Sequence, residues 1–236
     1  SELARALTVM RERLDGKQYV EHYVQSLAHE MKSPLTAIRA SSELLNEQEL
    51  PEVSRRFAGH IGEQAERLEQ TIERILALAR IEQLQAPEAE TDLRLGELAC
   101  DVADSRAPLA AARNLRIVVE GDAACRGDPF LLRQAIANLV DNALAFSPEG
   151  SPVTVSITEE DAALCIAIRD YGPGAPDYAL PHLFERFYSL PRPNGGRKST
   201  GLGLAFVREV AKIHCGEAYF ANVESGAIAG IRLPRS

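Results

Sequence analysis

The stretch Ser26-Leu27-Ala28-His29-Glu30-Met31-Lys32-Ser33-Pro34-Leu35 sets a nucleophile beside an acid. Apolar residues at Val20, Tyr23, Val24, Leu27, Met31, Leu35 and Ile38 recur every three or four positions, the spacing of a helix with one apolar stripe. At roughly 100° per residue, His29 lies about 200° from both Leu27 and Met31 and so points away from that stripe. A neutral imidazole is a competent nucleophile, and an ordinary pKa of about 6.5 leaves most of it neutral near pH 7. Glu30 can orient the ring or take its proton. Pro34 has no amide hydrogen and its ring meets the carbonyl of Glu30, so a kink is expected just past the histidine. Taken alone, such a histidine is more often a plain surface residue; its neighbours, and the chain that follows, argue otherwise.

A second group lies on the helix expected from Asp128 to Phe146, with Asp128 as cap and Pro129 in its first turn. Asn138 and Asn142, four apart, share one face. Asn is a mediocre helix former, so two amides among Ile136, Leu139 and Val140 suggest hard-oxygen ligation of magnesium more readily than plain surface polarity. Asp170-Tyr171-Gly172-Pro173-Gly174 ends an expected strand. There a carboxylate can accept from an amino group such as that of adenine, and the glycines permit a tight turn, although taken alone the stretch reads at least as readily as a plain strand-to-loop turn. Ser199-Thr200-Gly201-Leu202-Gly203-Leu204 opens a helix whose first amides can receive an anion. It is neither a P-loop nor a dinucleotide fingerprint. Between these two glycine stretches lies Leu183-Phe184-Glu185-Arg186-Phe187-Tyr188, whose aromatic pair by itself reads more readily as core than as ligand contact.

The elements that must position these groups follow from periodicity. Leu3, Leu7, Met10 and Leu14 are heptad-like, the stripe resumes from Val20 to Leu45, and Asn46 to Pro51 is a polar break. A second long helix is expected from Pro51 to about Gln85, with Val53, Phe57, Ile61, Ala65, Leu68, Ile72, Ile75 and Ala79 on one face. Two such helices form a hairpin that cannot cover both stripes, so a dimeric four-helix bundle is the natural solution. Ala86-Pro87-Glu88-Ala89-Glu90 reads as a linker between a domain at 1–86 and another at 91–236. Beyond it the pattern predicts a helix at 95–112, a strand at 115–120, the helix at 128–146, and strands at 153–158 and 164–170 joined by an acidic turn. A Gly- and Pro-rich loop at 172–200, a helix at 201–213 and strands at 217–222 and 227–233 complete it. The fold class is multi-domain: a long helical hairpin, then a two-layer α/β sandwich.

Composition narrows the classes. The 236 residues are 45% hydrophobic and 25% charged, as in ordinary globular proteins, and the formal charge of −8 argues against broad nucleic-acid binding. Four cysteines without a C-x-x-C suggest neither zinc nor disulfides and fit reduced thiols in a cytosolic compartment. No apolar run approaches membrane-spanning length. The helical pattern is already under way at Ser1 to Arg13, as expected of a piece of a longer chain.

In order and spacing these stretches resemble the bacterial two-component sensor histidine kinases across essentially the whole chain. Ser26 to Leu35 is similar to the phosphoacceptor box and Asn138 to Ser147 to the asparagine box. Asp170 to Gly174 matches the first glycine box, Phe184 to Phe187 the phenylalanine box, and Ser199 to Leu204 the second glycine box. The resemblance implies that His29 attacks the γ-phosphate of ATP with Glu30 as its acidic partner, and that Asn142 binds magnesium with Asn138 on the same face. It implies further that Asp170 binds the adenine amino group, and that Phe146 lies against the base. Gly172 and Gly174 would shape the hinge of a nucleotide lid at 175–200, which Phe184 and Phe187 anchor. Gly201, Leu202 and Gly203 would receive the phosphates, with Thr200 beside them. The family acts as a homodimer at the cytoplasmic face of the bacterial inner membrane and passes its phosphoryl group to an aspartate in the receiver domain of a response regulator. The membrane would be reached only through N-terminal segments absent from this sequence. Two departures stand out. Many relatives have a basic residue where this chain has Ala145, a role open to Arg197 or Lys198. Ser33 stands where the subfamily has Thr or Asn and keeps the hydroxyl that dephosphorylation of the partner would use. The rivals are a gyrase-like or Hsp90-like ATPase, which leaves His29 unexplained, and a catalytically weak dimeric adaptor.

Overall fold

In a computed structural model of the chain the described residues are 31, 35–43, 45, 51–160, 163–192 and 199–235. His29, Glu30, Ser33, the Pro34 kink and Lys198 lie outside them. Two compact units are present, Ser1–Arg80 and Ile81–Ser236.

In the first unit, residues 35–43 are helical (α1) and a long helix spans Glu52–Gln83 (α2). Pro51 immediately precedes α2 and its carbonyl accepts the Arg55 N–H at 3.1 Å, so the polar break ends where expected. The apolar stripe of α2 divides in two. Ala58, Ala65 and Ile72, seven apart, are buried, and Leu35 of α1 packs with Ala65, Ile72 and Leu76. Val53, Phe57, Ile61 and Leu68 lie on a neighbouring face and stay exposed, Phe57 to 64%. Small residues bring the helices close. The buried Ser42 hydroxyl donates to the Ala58 carbonyl, and a Cβ on Gly62 would lie 2.9 Å from Ser42 Oγ. Arg39 pairs with Glu69 across the same contact at 2.9 Å.

The second unit is a mixed five-stranded sheet with helices. After a short strand, β1 (Thr91–Arg94), come α3 (Leu95–Ala111), β2 (Arg116–Glu120), β3 (Ala124–Gly127) and α4 (Pro129–Phe146). Then follow β4 (Pro152–Glu160), β5 (Ala163–Asp170), a 3₁₀ turn (Leu180–His182), α5 (Gly203–Ile213), β6 (Glu217–Val223) and β7 (Gly226–Pro234). The strand order is β2-β4-β5-β7-β6. Only β2 and β4 run parallel among the described pairs. Alternation builds the core: Val155 opposes Ile168, Ile157 opposes Ile166, and Ile166 and Ile168 in turn oppose Ile231 and Ala229. These residues are almost wholly buried, each large aliphatic side chain contributing about 1.5–3 kcal/mol. Thr154 and Ser156, which alternate with them on β4, are only half-buried, so the strand has one core face.

Two strands were not expected. β1 and β3 pair antiparallel as a separate small sheet, Thr91 opposite Gly127 and Arg94 opposite Ala124. Asp122, just before β3, accepts from Gly96 N at 2.8 Å and from Arg94 Nε at 2.7 Å, tying the start of α3 to this sheet. The Gly96 N–H, with the Arg94 guanidinium, holds the Asp122 carboxyl below its ordinary value against a smaller opposing effect of burial. Glu159 and Glu160, read as part of a turn, instead extend β4, with Glu160 opposite Ala163.

Candidate nucleotide-binding site

The site is built on α4. The Asp128 carboxylate accepts from Phe130 N (2.9 Å) and Leu131 N (3.1 Å), satisfying two of the helix's free amides, and Pro129 occupies its first position. At the other end the Arg113 guanidinium donates to the carbonyls of Leu144 and Ser147. Between these caps Asn138, Asn142 and Phe146, four apart, share one side and are half-buried, while Leu139, Val140, Ala143 and Leu144 fill the core.

Two glycine turns come against that side. A Cβ at Gly172 would meet the Phe146 carbonyl oxygen at 2.6 Å, so the turn after β5 lies directly on the end of α4. A Cβ at Gly203 would lie 3.6 Å from Asn138 Oδ1, so the start of α5 lies beside the first asparagine. Leu202, which precedes α5, makes no side-chain cap, and its own side chain is buried; only its backbone can face a ligand.

Asp170 ends β5 with 8% exposure. Its Oδ1 accepts the Gly172 N–H at 2.8 Å. Burial pushes its carboxyl above the ordinary value, against the opposing N–H groups of Gly172 and Ala227. A nearly buried carboxylate of this kind suits a ligand amino group, which would stabilise the charged form. Gly174, at φ +70°, lets the chain turn tightly away, and Asn222 of β6 meets it: Ala175 N donates to Asn222 Oδ1 (2.8 Å) and Asn222 Nδ2 donates to Ala175 O (2.7 Å). Sequence reasoning passed over Asn222; an Asn inside a strand, where that residue is depleted, was the available signal.

The segment expected to be a lid from residue 175 is in large part packed. Ala175, Ala179 and Leu183 form a buried cluster, against which Leu180, Phe184, Tyr188, Leu190, Leu204 and Phe220 pack. Residues 193–198 lie outside the described part. The two phenylalanines behave differently. Phe184 packs on the cluster, whereas Phe187 is not part of it and is 63% exposed. The reason is local: Phe187 has φ +63° and its N–H donates to the Gly201 carbonyl at 2.9 Å, a turn that directs Tyr188 inward in its place. Gly201, at φ +69°, admits this contact because a Cβ there would collide with the Phe187 and Tyr188 backbone at 2.5–2.7 Å. The phenylalanine and second glycine boxes therefore meet, as do the asparagine box and both glycine boxes. Thr200 is half-buried beside them.

A helix side bearing two amides, a buried carboxylate and a glycine-opened helix start thus meet in one α/β domain. Residues 127–236 match the family described as "Histidine kinase-, DNA gyrase B-, and HSP90-like ATPase", and residues 20–84 match the "His Kinase A (phospho-acceptor) domain". The chain belongs to the two-component sensor histidine kinases. It is 43% identical to the sensor protein CreC of Escherichia coli K12, over 99% of this chain and 49% of that protein. It is 33% identical to the sensor protein IrlS of Burkholderia pseudomallei, over 91% of this chain and 47% of that one. The chain thus spans about half the length of the curated relatives it matches. Among solved structures, the ATP-binding domain of PrrB from Mycobacterium tuberculosis is 27% identical with a TM-score of 0.51, over 63% of this chain and 99% of that one. Full-length ShkA in complex with AMPPNP shares the fold at a TM-score of 0.75 and 22% identity, over 90% of this chain and 45% of that one. ThkA in complex with the response regulator TrrA does so at 0.65 and 21%, over 96% of this chain and 64% of that one. No helix among the described residues is long and apolar enough to cross a membrane.

Proposed function

We propose that this chain is the catalytic core of a sensor kinase, in which a phosphotransfer hairpin (1–86) receives phosphate from an ATP-binding domain (91–236). The observation that carries the reading is the meeting of Gly172 with Phe146 and of Gly203 with Asn138, which gathers three separate sequence boxes on one side of α4. Asp170 would accept from the adenine amino group, Phe146 would lie against the base, and the start of α5 from Gly201 to Gly203 would receive the phosphates. Gly172 and Gly174 would shape the turn that bounds the adenine, Phe184 would hold the segment beyond it, and Thr200 and Lys198 would serve the phosphates.

The donor set also fits magnesium. The described residues hold no cluster of three His, Cys, Asp or Glu, and a hard cation that keeps its waters and bridges phosphates needs few protein ligands. Asn142 would hold the ion, which supplies charge neutralisation at the phosphates.

Phosphoryl transfer asks chiefly for positioning and charge stabilisation. A ring nitrogen of His29 would attack the γ-phosphorus, the bond to the bridging oxygen would break, and ADP would leave. Glu30 would orient the imidazole or take its proton. The phosphoryl group would pass to an aspartate of a response regulator's receiver domain, a partner class supported by the likeness to ThkA, whose solved complex contains one. Ser33 would serve the reverse reaction, dephosphorylating that partner. The exposed row Val53, Phe57, Ile61 and Leu68 supports a homodimer. The kinship with sensor proteins supports a place at the cytoplasmic face of the bacterial inner membrane.

Incubation with γ-labelled ATP and magnesium tests this, comparing the unaltered chain with His29→Gln. An acid-labile, alkali-stable label confined to the unaltered chain is the expected result. A label that survives the substitution would move the phosphoacceptor elsewhere, and release of phosphate without any label would favour a simple ATPase.

A further inference from the structure

The turn that closes the β6–β7 hairpin lies against the adenine-side loop at three places. A Cβ at Gly226 would sit 1.9 Å from the Asp170 carbonyl oxygen and 2.7 Å from Tyr171 Cα, so the two backbones are in direct contact and only glycine fits. Ala227 opposes Asp170 in the sheet, and its N–H helps hold the Asp170 carboxylate. Asn222 then grips Ala175 by both its N–H and its carbonyl. One residue of peptide is thereby paired as if by a neighbouring strand, although the partner is a side chain. Phe220, two residues earlier and so on the same face of β6, packs on the cluster of Ala175, Ala179 and Leu183.

This arrangement brackets the loop. Asp170 is held at its start by the sheet, and Ala175 at its end by Asn222. The glycines between them carry the loop's conformational freedom: Gly174 has φ +70°, and its missing Cβ leaves room for the Asn222 carboxamide, which a Cβ would meet at 2.5 Å. Only a carboxamide of this length offers one donor and one acceptor to one residue's N–H and C=O. Aspartate would keep the bond from Ala175 N–H and set a charge against the Ala175 carbonyl; alanine would lose both.

We propose that Asn222 is a positioning residue for the nucleotide, fixing the far end of the Asp170–Ala175 loop so that the wall of the adenine pocket is formed before the base arrives. The inference rests on the ATP reading above. Asn222 itself touches no ligand; it acts through Ala175. A pre-formed wall avoids an ordering cost on binding, so releasing it weakens affinity and adenine selectivity.

The experiment is titration of the whole chain with the non-hydrolysable analogue AMPPNP and its guanine counterpart, for the unaltered protein, Asn222→Ala and Asn222→Asp. Amide hydrogen exchange at Ala175 and labelling at saturating ATP are measured beside it. The expected result is about ten-fold weaker AMPPNP binding in both variants with a smaller preference over the guanine analogue. Faster exchange at Ala175 and a labelling rate at saturation within about two-fold of the original would accompany it. Unchanged affinity in a folded Asn222→Asp protein would overturn the proposal while leaving the ATP reading intact. Failure of the unaltered chain to bind AMPPNP would overturn both. Should Asn222→Ala not fold, Asn222→Asp, of nearly the same shape, decides the matter alone.

Discussion

His214 Nε2 accepts the backbone N–H of Asp128 at 3.0 Å, while its Nδ1 lies 2.7 Å from the Val210 carbonyl. The first bond requires Nε2 to be bare, so the proton of the neutral ring is on Nδ1 and donates to Val210. One buried imidazole thus joins the end of α5 to the cap of α4, the two helices that carry Asn138 and Gly203. Gly127 makes room, since a Cβ there would press on the ring at 3.0 Å. His214→Ala leaves the Asp128 N–H buried without its partner and should lower stability by about 1–3 kcal/mol, measured by urea unfolding. A change within 0.5 kcal/mol would show the imidazole to be dispensable.

Asp170 should trade stability for binding. Its folded-state carboxyl binds a proton more tightly than the unfolded chain's does, so this group's contribution is fully present below the ordinary value of 3.8 and is lost as pH rises through the raised one. Asp170→Asn removes that loss, and Asn can still accept from the Gly172 N–H. The variant should melt higher than the original near pH 7, with the difference shrinking as pH falls toward 3.8. Its amide NH₂ would then face the adenine amino group, donor against donor, and AMPPNP affinity should fall at least about ten-fold. Thermal melts across pH, paired with titrations, check both halves.

Two glycines in one motif should fail in different ways. Gly201 has φ +69° and backbone at 2.5 Å where a Cβ would go; Gly203 has only ordinary contact at 3.6 Å. Gly201→Ala should cost about 1–3 kcal/mol of stability. Gly203→Ala should leave the melting temperature nearly unchanged while weakening nucleotide binding, because on the proposed reading its methyl group would stand where phosphates would approach the helix start. Equal melting temperatures for the two variants would contradict this division.

The outer face of α2 makes the dimer prediction specific. Phe57→Glu with Ile61→Glu alters side chains exposed on one chain, so helical content by circular dichroism should hold. Sedimentation velocity should report a dimer for the unaltered chain and monomers for the variant at the same concentration, with the dissociation constant raised by about 100-fold or more. A dimer that persists would place the interface on another face.

What was legible in the sequence had a local physical signature. Asp128 and Pro129 announced α4, alternation and β-branching announced β2, and the glycine boxes marked the turns that close on α4. β1 and β3 were not legible because Thr91–Arg94 is short and polar, and Ala124–Gly127 contains a glycine and no β-branched residue; their pairing joins segments about thirty residues apart. The division of the α2 stripe was hidden because periodicity at 100° per residue does not separate adjacent faces. The exposure of the Phe187 ring follows from a positive φ tied to Gly201, a tertiary bond that an aromatic pair cannot signal.

The parallel pairing of β2 with β4 carries a consequence for the order of assembly. Its two strands are separated by β3 and α4, so the chain must close a long loop before they meet. β6 and β7, in contrast, are separated by two residues and can pair almost at once. The hairpins β4–β5 and β6–β7 are therefore the early-forming parts, and the β2–β4 and β5–β7 pairings, each across a long intervening segment, join them later. Unfolding from the rims would strip β2 and β6 first and reach the central strand that ends in Asp170 only after a neighbouring strand had opened.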